Sequence, residues 1–210
     1  MCIRDRSTFT PSYVVSNSDL INGLIPASFS GDFAAVEFSG GLPVMNDGVY
    51  GVITEPGGAP DRTHGAFGLG GGGSATGISV TYNLGSNPSG YNISSVAVYG
   101  GWNDNGRDQQ LYTFSYSLIG DPGFVTLTTV NFNPAVGASL QTANRSTLTE
   151  DALPFLASGV DAVRFDFPGG AENGYTGYAE LDVIGSAVPE PGVSVFSLAG
   201  ILALAGRRRR

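Results

Sequence analysis

Apolar and polar residues alternate along most of the chain between residues 7 and 187. A period of two residues predicts β-strands, because successive side chains of a strand point to opposite faces. The pattern predicts strands at 78–84, 96–102, 111–118, 124–132, 161–167 and 178–184. Clusters of Gly, Pro, Asn and Asp separate these runs and predict turns. No stretch before the C-terminal tail has the 3.6-residue period of a helix.

One face of each predicted strand is apolar. Ile78, Val80 and Tyr82 share a face, as do Val163, Phe165 and Phe167 opposite Arg164 and Asp166, and Ala179, Leu181 and Val183 are expected to point inward. Strands of this kind bury their apolar faces between two sheets. The fold prediction is therefore an all-β protein, a two-sheet antiparallel jelly-roll sandwich of about eight strands over residues 7–187.

Composition supports this fold and limits the partners. The chain has 32 Gly and 12 Pro residues, and only 13% of its residues are charged. Its net charge is −8, and the residues before Pro189 carry 17 acidic side chains against 6 arginines. Such a surface repels phosphate backbones, so nucleic acid is not an expected partner.

The C-terminal residues 188–210 have three parts. Val188-Pro189-Glu190-Pro191 precedes an uncharged apolar run at 192–206, and the chain ends in Arg207, Arg208, Arg209 and Arg210. The apolar run is predicted to be a short membrane helix, with the arginines on the cytoplasmic side. The prolines keep the preceding backbone extended, as a processing protease requires.

This three-part order resembles the PEP-CTERM sorting signal. The resemblance implies an exosortase-type membrane protease as partner, transient anchoring in the membrane through the helix, and export to the bacterial cell envelope, cell surface or extracellular matrix. Such proteins need an N-terminal secretory signal, and residues 1–6 have no apolar region of that kind. We expect residues 1–6 to be a non-native or truncated leader.

Catalytic residue types are scarce. His64 is the single histidine, Cys2 is the single cysteine, and the chain has no lysine. A P-loop, Schiff-base chemistry and a usual zinc site are thereby excluded. The Gly-rich run at 68–73 has no strand and helix around it and is predicted to be a surface loop. We do not expect an enzyme, although a pair of carboxylates, as in glycosidases, remains open.

The second half of the domain resembles the discoidin-like, galactose-binding-like jelly roll. The resemblance covers about residues 75–185. It rests on the order of a strand, the polar loop at 103–108, a strand with Tyr and Ser, an Arg-bearing strand and a last strand carrying Glu180. It implies the same fold and association with extracellular polysaccharide.

The polar loop and its flanks supply the candidate ligand-binding residues. Aromatic faces beside hydrogen-bonding groups suit carbohydrate. The candidates are Tyr99, Trp102, Asn103, Asp104 and Arg107, with Tyr175, Tyr178 and Asn173 of the same chemistry. The loop also has the character of half a calcium loop or of a plain Asx-rich turn, and a sole Trp is also compatible with a core position.

The resemblance further implies a structural Ca²⁺ where an early Asp-Gly turn meets a glutamate on the last strand. Asp47 and Glu180 are the residues in question, and an arginine is an equally suitable partner for Glu180. The functional prediction is an exported, non-catalytic β-sandwich associated with polysaccharide. The alternatives are a structural matrix protein without a specific ligand and a carboxylate-dependent glycan hydrolase.

Overall fold

The computed structural model describes residues 2–8, 13–34, 39–50, 65–68, 78–102, 109–133, 142–168 and 175–190. For residues 2–8, 65–68, 101–102, 142–143 and 175–176 it describes the backbone only. The described part is built of strands, with a 3-10 helix at Leu42–Met45. The strands are β1 Cys2–Thr8, β2 Ser28–Ser30, β3 Gly65–Gly68, β4 Ile78–Asn83, β5 Tyr91–Trp102, β6 Gln110–Leu118, β7 Asp121–Phe132, β8 Thr142–Thr149, β9 Ala157–Phe167 and β10 Tyr175–Ala187.

The strands form two antiparallel layers. The first sheet has the order β3-β10-β5-β8-β1, and the second has the order β2-β4-β9-β6-β7. The two sheets join where the start of β5 pairs with β9, at Tyr91 with Val160 and at Ile93 with Ala157. The protein is a two-sheet antiparallel jelly-roll sandwich, and the predicted fold class is confirmed.

The core lies between the two sheets. Its fully buried aromatic side chains come from four strands and pack on one another: Tyr82, Tyr112, Phe114, Phe165, Phe167 and Tyr178. The Phe114 and Phe165 rings lie 5.1 Å apart, and the Phe167 and Tyr178 rings 4.8 Å apart. Burial of these large apolar surfaces is the main force that holds the sheets together.

A bulge in β10 changes the predicted side-chain directions. Leu181 and Val183 point into the core as predicted, but the prediction for Ala179 is wrong, because Ala179 packs in a second cluster with Tyr50, Ala97 and Tyr99. The pairing with β5 shifts between Tyr178 and Glu180, and the extra residue of a bulge reverses the alternation.

The second cluster lies on the other face of the first sheet, under the N-terminal segment. Tyr13 and Val15 cover it, and the rings of Tyr13 and Tyr50 meet edge to face at 5.7 Å. The segment then runs beside β10, where the Leu20 amide donates to the Val183 carbonyl at 2.8 Å. Residues 13–25 thus cover a part of β10 that would otherwise face solvent.

The N-terminal residues Cys2–Thr8 form an edge strand. The backbone of β1 pairs with β8 at the edge of the first sheet, a position open to any extended segment. The assignment of residues 1–6 to a non-native leader therefore stays a prediction.

No helix of the described residues is long and apolar enough to cross a membrane. The predicted membrane helix at 192–206 lies outside those residues.

Candidate functional site

The predicted ligand-binding loop follows the end of β5. Trp102 is the last residue of that strand, and its backbone pairs with Thr142 of β8. Asn103, Asp104 and Arg107 lie outside the described residues, as does Asn173, and for Trp102 and Tyr175 only the backbone is described. The backbone of Trp102 therefore lies at the rim of the first sheet.

Two of the predicted aromatic residues have buried rings. Tyr99 is 3% exposed in the second cluster, and its hydroxyl donates to the Asp182 carboxylate at 3.2 Å. Tyr178 is fully buried, and its hydroxyl accepts from the Leu111 amide at 2.9 Å. Neither ring has a free face on which a sugar can stack: Tyr99 instead links the neighbouring strands β5 and β10, and Tyr178 links β10 of the first sheet to β6 of the second.

Three carboxylates meet between the N-terminal segment and β10. One oxygen from each of Asp19, Glu180 and Asp182 lies within 4.8 Å of the other two. Glu180 and Asp182 alternate along β10 beyond the bulge, and Asp19 is brought to them by the covering segment. We call these three residues the acidic cluster.

Hydrogen bonds from backbone amides and from Tyr99 fix the geometry of the acidic cluster. Asp19 Oδ1 accepts from the amides of Ile21 at 2.9 Å and Val183 at 3.2 Å. Glu180 Oε1 accepts from the Gly48 amide at 3.2 Å, and Asp182 Oδ2 accepts from the Ser16 amide at 2.9 Å and from Tyr99. Each carboxylate is therefore tied through one oxygen.

The second oxygen of each carboxylate accepts no hydrogen bond, and the side chain within hydrogen-bonding reach of Glu180 is another acid, Asp47. Asp19 Oδ2, Glu180 Oε2 and Asp182 Oδ1 are buried without a hydrogen bond, and Glu180 and Asp182 are 0% and 2% exposed. Among the described residues no arginine forms an ion pair with any of the three. An unpaired buried charge is costly, so the acidic cluster needs either protons or a cation.

Burial raises the pKa values of all three carboxylates in the acidic cluster. Burial, followed by repulsion from Asp182, Asp47 and Asp19, raises the pKa of Glu180 to about 9. Burial and the charge of Asp19 raise the pKa of Asp182 to about 6. Burial also raises the pKa of Asp19. At neutral pH without a cation, the folded protein therefore keeps Glu180 protonated.

The structure brings the predicted calcium pair together and enlarges it. The turn at Asn46-Asp47-Gly48 meets Glu180 through the Gly48 amide, and Gly48 has a φ of 75°, which favours glycine. That these residues hold Ca²⁺ stays a prediction. Asp47 lies close enough for its charge to raise the pKa of Glu180. One of its oxygens, Oδ1, accepts from the Val49 amide at 2.9 Å.

Sequence reasoning missed Asp19 and Asp182. The spacing of Glu180 and Asp182 was a usable signal, because residues two apart in a strand share a face. Asp19 gave no comparable signal, since its place beside β10 depends on contacts across more than 160 residues. The oxygen-only donor set and the three unpartnered carboxylate oxygens fit a hard divalent cation such as Ca²⁺.

An apolar cleft of about 420 Å³ lies beside the Asp47 turn. Its lining is mostly aliphatic or aromatic, with polar groups at one end: Gly23, Leu24, Ile25, Pro26, Phe29, Leu42, Pro43, Asn46 and Asp47. The Asn46 side chain donates to the carbonyls of Ile21 at 2.6 Å and Leu24 at 3.0 Å. One turn thus joins the wall of the cleft to the acidic cluster.

The start of the predicted sorting signal leaves the sandwich at the end of β10. The Val188 amide donates to the Gly90 carbonyl at 2.9 Å, and the Val188 carbonyl accepts from Asn87 at 3.1 Å. Pro189 and Glu190 follow as exposed residues outside any strand. Pro191 and Arg207 to Arg210 lie outside the described residues.

Comparison with solved structures agrees with the fold. The chain is similar to the C-terminal domain of a chitobiase from Bacteroides fragilis, with a TM-score of 0.51 and 15% identity over 80% of this chain and 96% of that chain. Further similar structures come from Clostridium perfringens. One is a CBM32 module in complex with GalNAc-β-1,3-galactose, with a TM-score of 0.47 and 18% identity over 75% of this chain and 92% of that chain.

A second structure from the same organism is the family 32 CBM of NanJ in complex with galactose. Its TM-score is 0.45, with 15% identity over 74% of this chain and 90% of that chain. No protein-family model matches the sequence, and no curated protein matches it.

Proposed function

We propose that this protein is an exported, non-catalytic β-sandwich that associates with extracellular polysaccharide, is stabilised by Ca²⁺ and reaches the cell surface through its C-terminal sorting signal. The observation that carries the proposal is the jelly roll, which resembles the chitobiase C-terminal domain over nearly its full length. Because one fold hosts many functions, the remaining argument rests on particular residues.

The arrangement of the acids favours a non-catalytic role. A glycosidase needs two carboxyl groups about 5 Å or more apart on either side of a substrate bond. Glu180 and Asp182 are buried and tied to backbone amides, so a substrate does not reach them. This weakens the hydrolase alternative for the described residues and leaves a structural matrix protein without a ligand as the competing function.

Trp102 is our leading residue for polysaccharide contact. It ends β5 next to the polar residues Asn103, Asp104 and Arg107, which have the hydrogen-bonding groups that sugars need. In the structures with sugars named above, the ligands contain galactose. We therefore propose galactose-containing glycans as the first class to test.

We expect Trp102→Ala to weaken glycan binding at least tenfold, because stacking on an aromatic face is lost. A glycan array followed by calorimetry on the best glycan measures this effect. Trp102→Phe is the matched control, since it keeps an aromatic face and should retain most of the affinity. A blank array for the unaltered protein would favour the structural matrix alternative.

The exposed Pro189-Glu190 segment supports the proposed sorting route, because a protease needs an accessible extended peptide. We expect a secreted reporter fused to residues 188–210 to be cut near this motif in a bacterium that has an exosortase. Mass spectrometry of the product measures the cut, and a strain lacking the exosortase should keep the intact fusion in its membrane. An uncut, freely secreted fusion in the first strain would exclude the sorting role.

Bound Ca²⁺ would have a structural role in this proposal. Asp19, Glu180 and Asp182 would hold the ion, with Asp47 at its side. The positive charge would neutralise the buried carboxylates and fasten the N-terminal segment to β10.

A further inference from the structure

The face of the second sheet that points away from the core carries two rows of polar side chains. Register pairs define both rows across all five strands. The first row is Ser30, Ser79, Asp166, Thr113 and Thr129. The second row is Ser28, Thr81, Arg164, Ser115 and Thr126. We call these ten residues the hydroxyl face.

The hydroxyl face is electrically neutral on an acidic protein. Its two charged residues are neighbours on β9, and Arg164 Nη2 contacts Asp166 Oδ1 at 2.5 Å. The other eight residues are Ser or Thr. A sheet face that only meets water normally carries scattered charges, and this chain has a net charge of −8. With two charged residues in ten, the face is no less charged than the chain as a whole, of which 13% is charged, so what distinguishes it is that its other eight residues are Ser or Thr.

The hydroxyl groups keep hydrogen-bonding capacity for a ligand. Thr113 and Thr129 share one hydrogen bond at 2.8 Å between their Oγ1 atoms, and Ser115 and Thr126 share another at 3.3 Å. A hydroxyl has one donor and two acceptor positions, so each exposed group keeps further positions for a ligand, whereas Ser79, Thr81 and Ser115 in the middle of the face are only 8%, 9% and 4% exposed. Thr126 and Thr129 are exposed on β7, and Ser28 and Ser30 are exposed on β2 at the opposite edge.

An aromatic ring stands at one side of the hydroxyl face. Phe124 is 40% exposed, and the Arg164 guanidinium lies 5.9 Å from the centre of its ring. The cation–π contact holds the ring beside the second row. An aromatic surface next to ordered hydroxyl and guanidinium groups has the chemistry that recognises sugar rings.

We propose that the hydroxyl face is a second polysaccharide-binding surface, which takes an extended, uncharged glycan chain lying across the strands. Neighbouring strands are about 4.8 Å apart, so five strands offer contacts along roughly 19 Å. A single sugar reaches only one or two strands, whereas a chain can run from the exposed residues of β7, past the Arg164–Asp166 pair, to the exposed residues of β2. The inference rests on the proposed association with polysaccharide, but it concerns a sheet different from the one that carries Trp102.

Charge placed on the hydroxyl face tests the inference. We expect Thr129→Glu and Thr126→Glu each to weaken retention of the full chain at least tenfold in native gels containing a neutral β-glucan or galactan, because a carboxylate disrupts the neutral surface. Ser86→Glu is the matched control, since Ser86 is exposed in the loop between β4 and β5. Thermal melting confirms that each variant is folded.

Thr113→Val removes a hydroxyl while keeping the side-chain shape, and it should also weaken retention. Free galactose should not reduce retention of the protein in the gel through the hydroxyl face, because a single sugar reaches too few strands. Retention should also persist in Trp102→Ala, because Trp102 lies on the other sheet. Retention that survives all three hydroxyl-face substitutions, or that is stronger in a polyuronate gel, overturns the inference and leaves the proposed function intact. No retention of the unaltered protein in any gel overturns both.

Discussion

Saturating Ca²⁺ is expected to raise the melting temperature of this protein by about 5 to 15 °C over the same protein in a chelator. An ion at 100 to 1,000 times its dissociation constant stabilises the folded state by about 3–4 kcal/mol, and each kcal/mol shifts the midpoint by about 2–4 °C at this chain length. The ion displaces the proton that Glu180 holds and neutralises a cluster of three carboxylates, each of which has one oxygen without a hydrogen bond. Differential scanning calorimetry at pH 8, with and without chelator, measures the shift.

The same shift should depend on the acidic cluster and on the size of the ion. Mg²⁺ demands strict octahedral geometry and keeps its waters, so it should stabilise the protein less than Ca²⁺. Asp19→Asn should reduce the calcium response, because Asp19 supplies one of the three facing oxygens. Equal melting temperatures in calcium and in chelator would rule out an ion at this position.

The calcium response should also depend on pH. In chelator, Glu180 has a folded pKa of about 9 against an ordinary value of 4.5, so the folded state holds a proton that the unfolded state releases. Stability from this group is full below pH 4.5 and is lost as pH rises towards 9. Ca²⁺ displaces that proton, so its stabilising effect should be larger at pH 8 than at pH 5.

The alternating pattern predicted those strands whose inward-pointing residues are apolar. β4, β9 and the end of β10 each direct Val, Ile, Leu, Phe or Tyr into the core, and a period of two marks them without further information. β8 was not predicted from its sequence, TANRSTLT. Of its side chains at alternate positions, Asn144 and Ser146 are polar and only Leu148 is apolar.

A buried hydrogen-bond network explains why β8 is nevertheless a central strand. Gln110 Nε2 donates to the Asn144 Oδ1 at 2.5 Å and to the Val98 carbonyl at 2.9 Å. Ser146 donates to Gln110 and shares a hydrogen bond with Tyr112 at 2.8 Å. Satisfied polar groups of this kind are tolerated in a core, but each depends on a partner more than 30 residues away. Local sequence patterns do not contain that information.

The candidate site shows the same limit. Glu180 was singled out from the sequence because a carboxylate among inward-pointing neighbours needs a partner, and its burial agrees with that reasoning. The turn at Asp47 and Gly48 was expected beside Glu180 only from the resemblance, and Asp19 was not expected there at all, since its contact with β10 joins residues 164 apart in the chain. The bulge at Glu180 was equally hidden, because a bulge is set by the partner strand rather than by a local signature.

Glu180→Gln is expected to abolish most of the calcium response and to make the chelated protein more stable at pH 8. A glutamine has the same shape as a protonated glutamate but does not ionise, so the folded state no longer loses stability as pH rises. Each pKa unit corresponds to about 1.4 kcal/mol, and pH 8 lies about 3.5 units above the ordinary pKa of 4.5, so the gain over the chelated unaltered protein should be on the order of 5 kcal/mol.

The comparison of four melting curves separates a cation site from a simple buried acid. If the acidic cluster binds Ca²⁺, Glu180→Gln melts at a higher temperature than the unaltered protein in chelator, and calcium raises its melting temperature little further. The melting temperature of the unaltered protein, in contrast, rises strongly when calcium replaces the chelator. Glu150→Gln is the matched control, because Glu150 is exposed and only caps a turn through the Asp151 and Ala152 amides. It should leave the calcium response unchanged. If Glu180→Gln lowered stability in chelator at pH 8, the carboxylate would have a favourable partner in the folded state, and the argument from its unpartnered oxygen would fail.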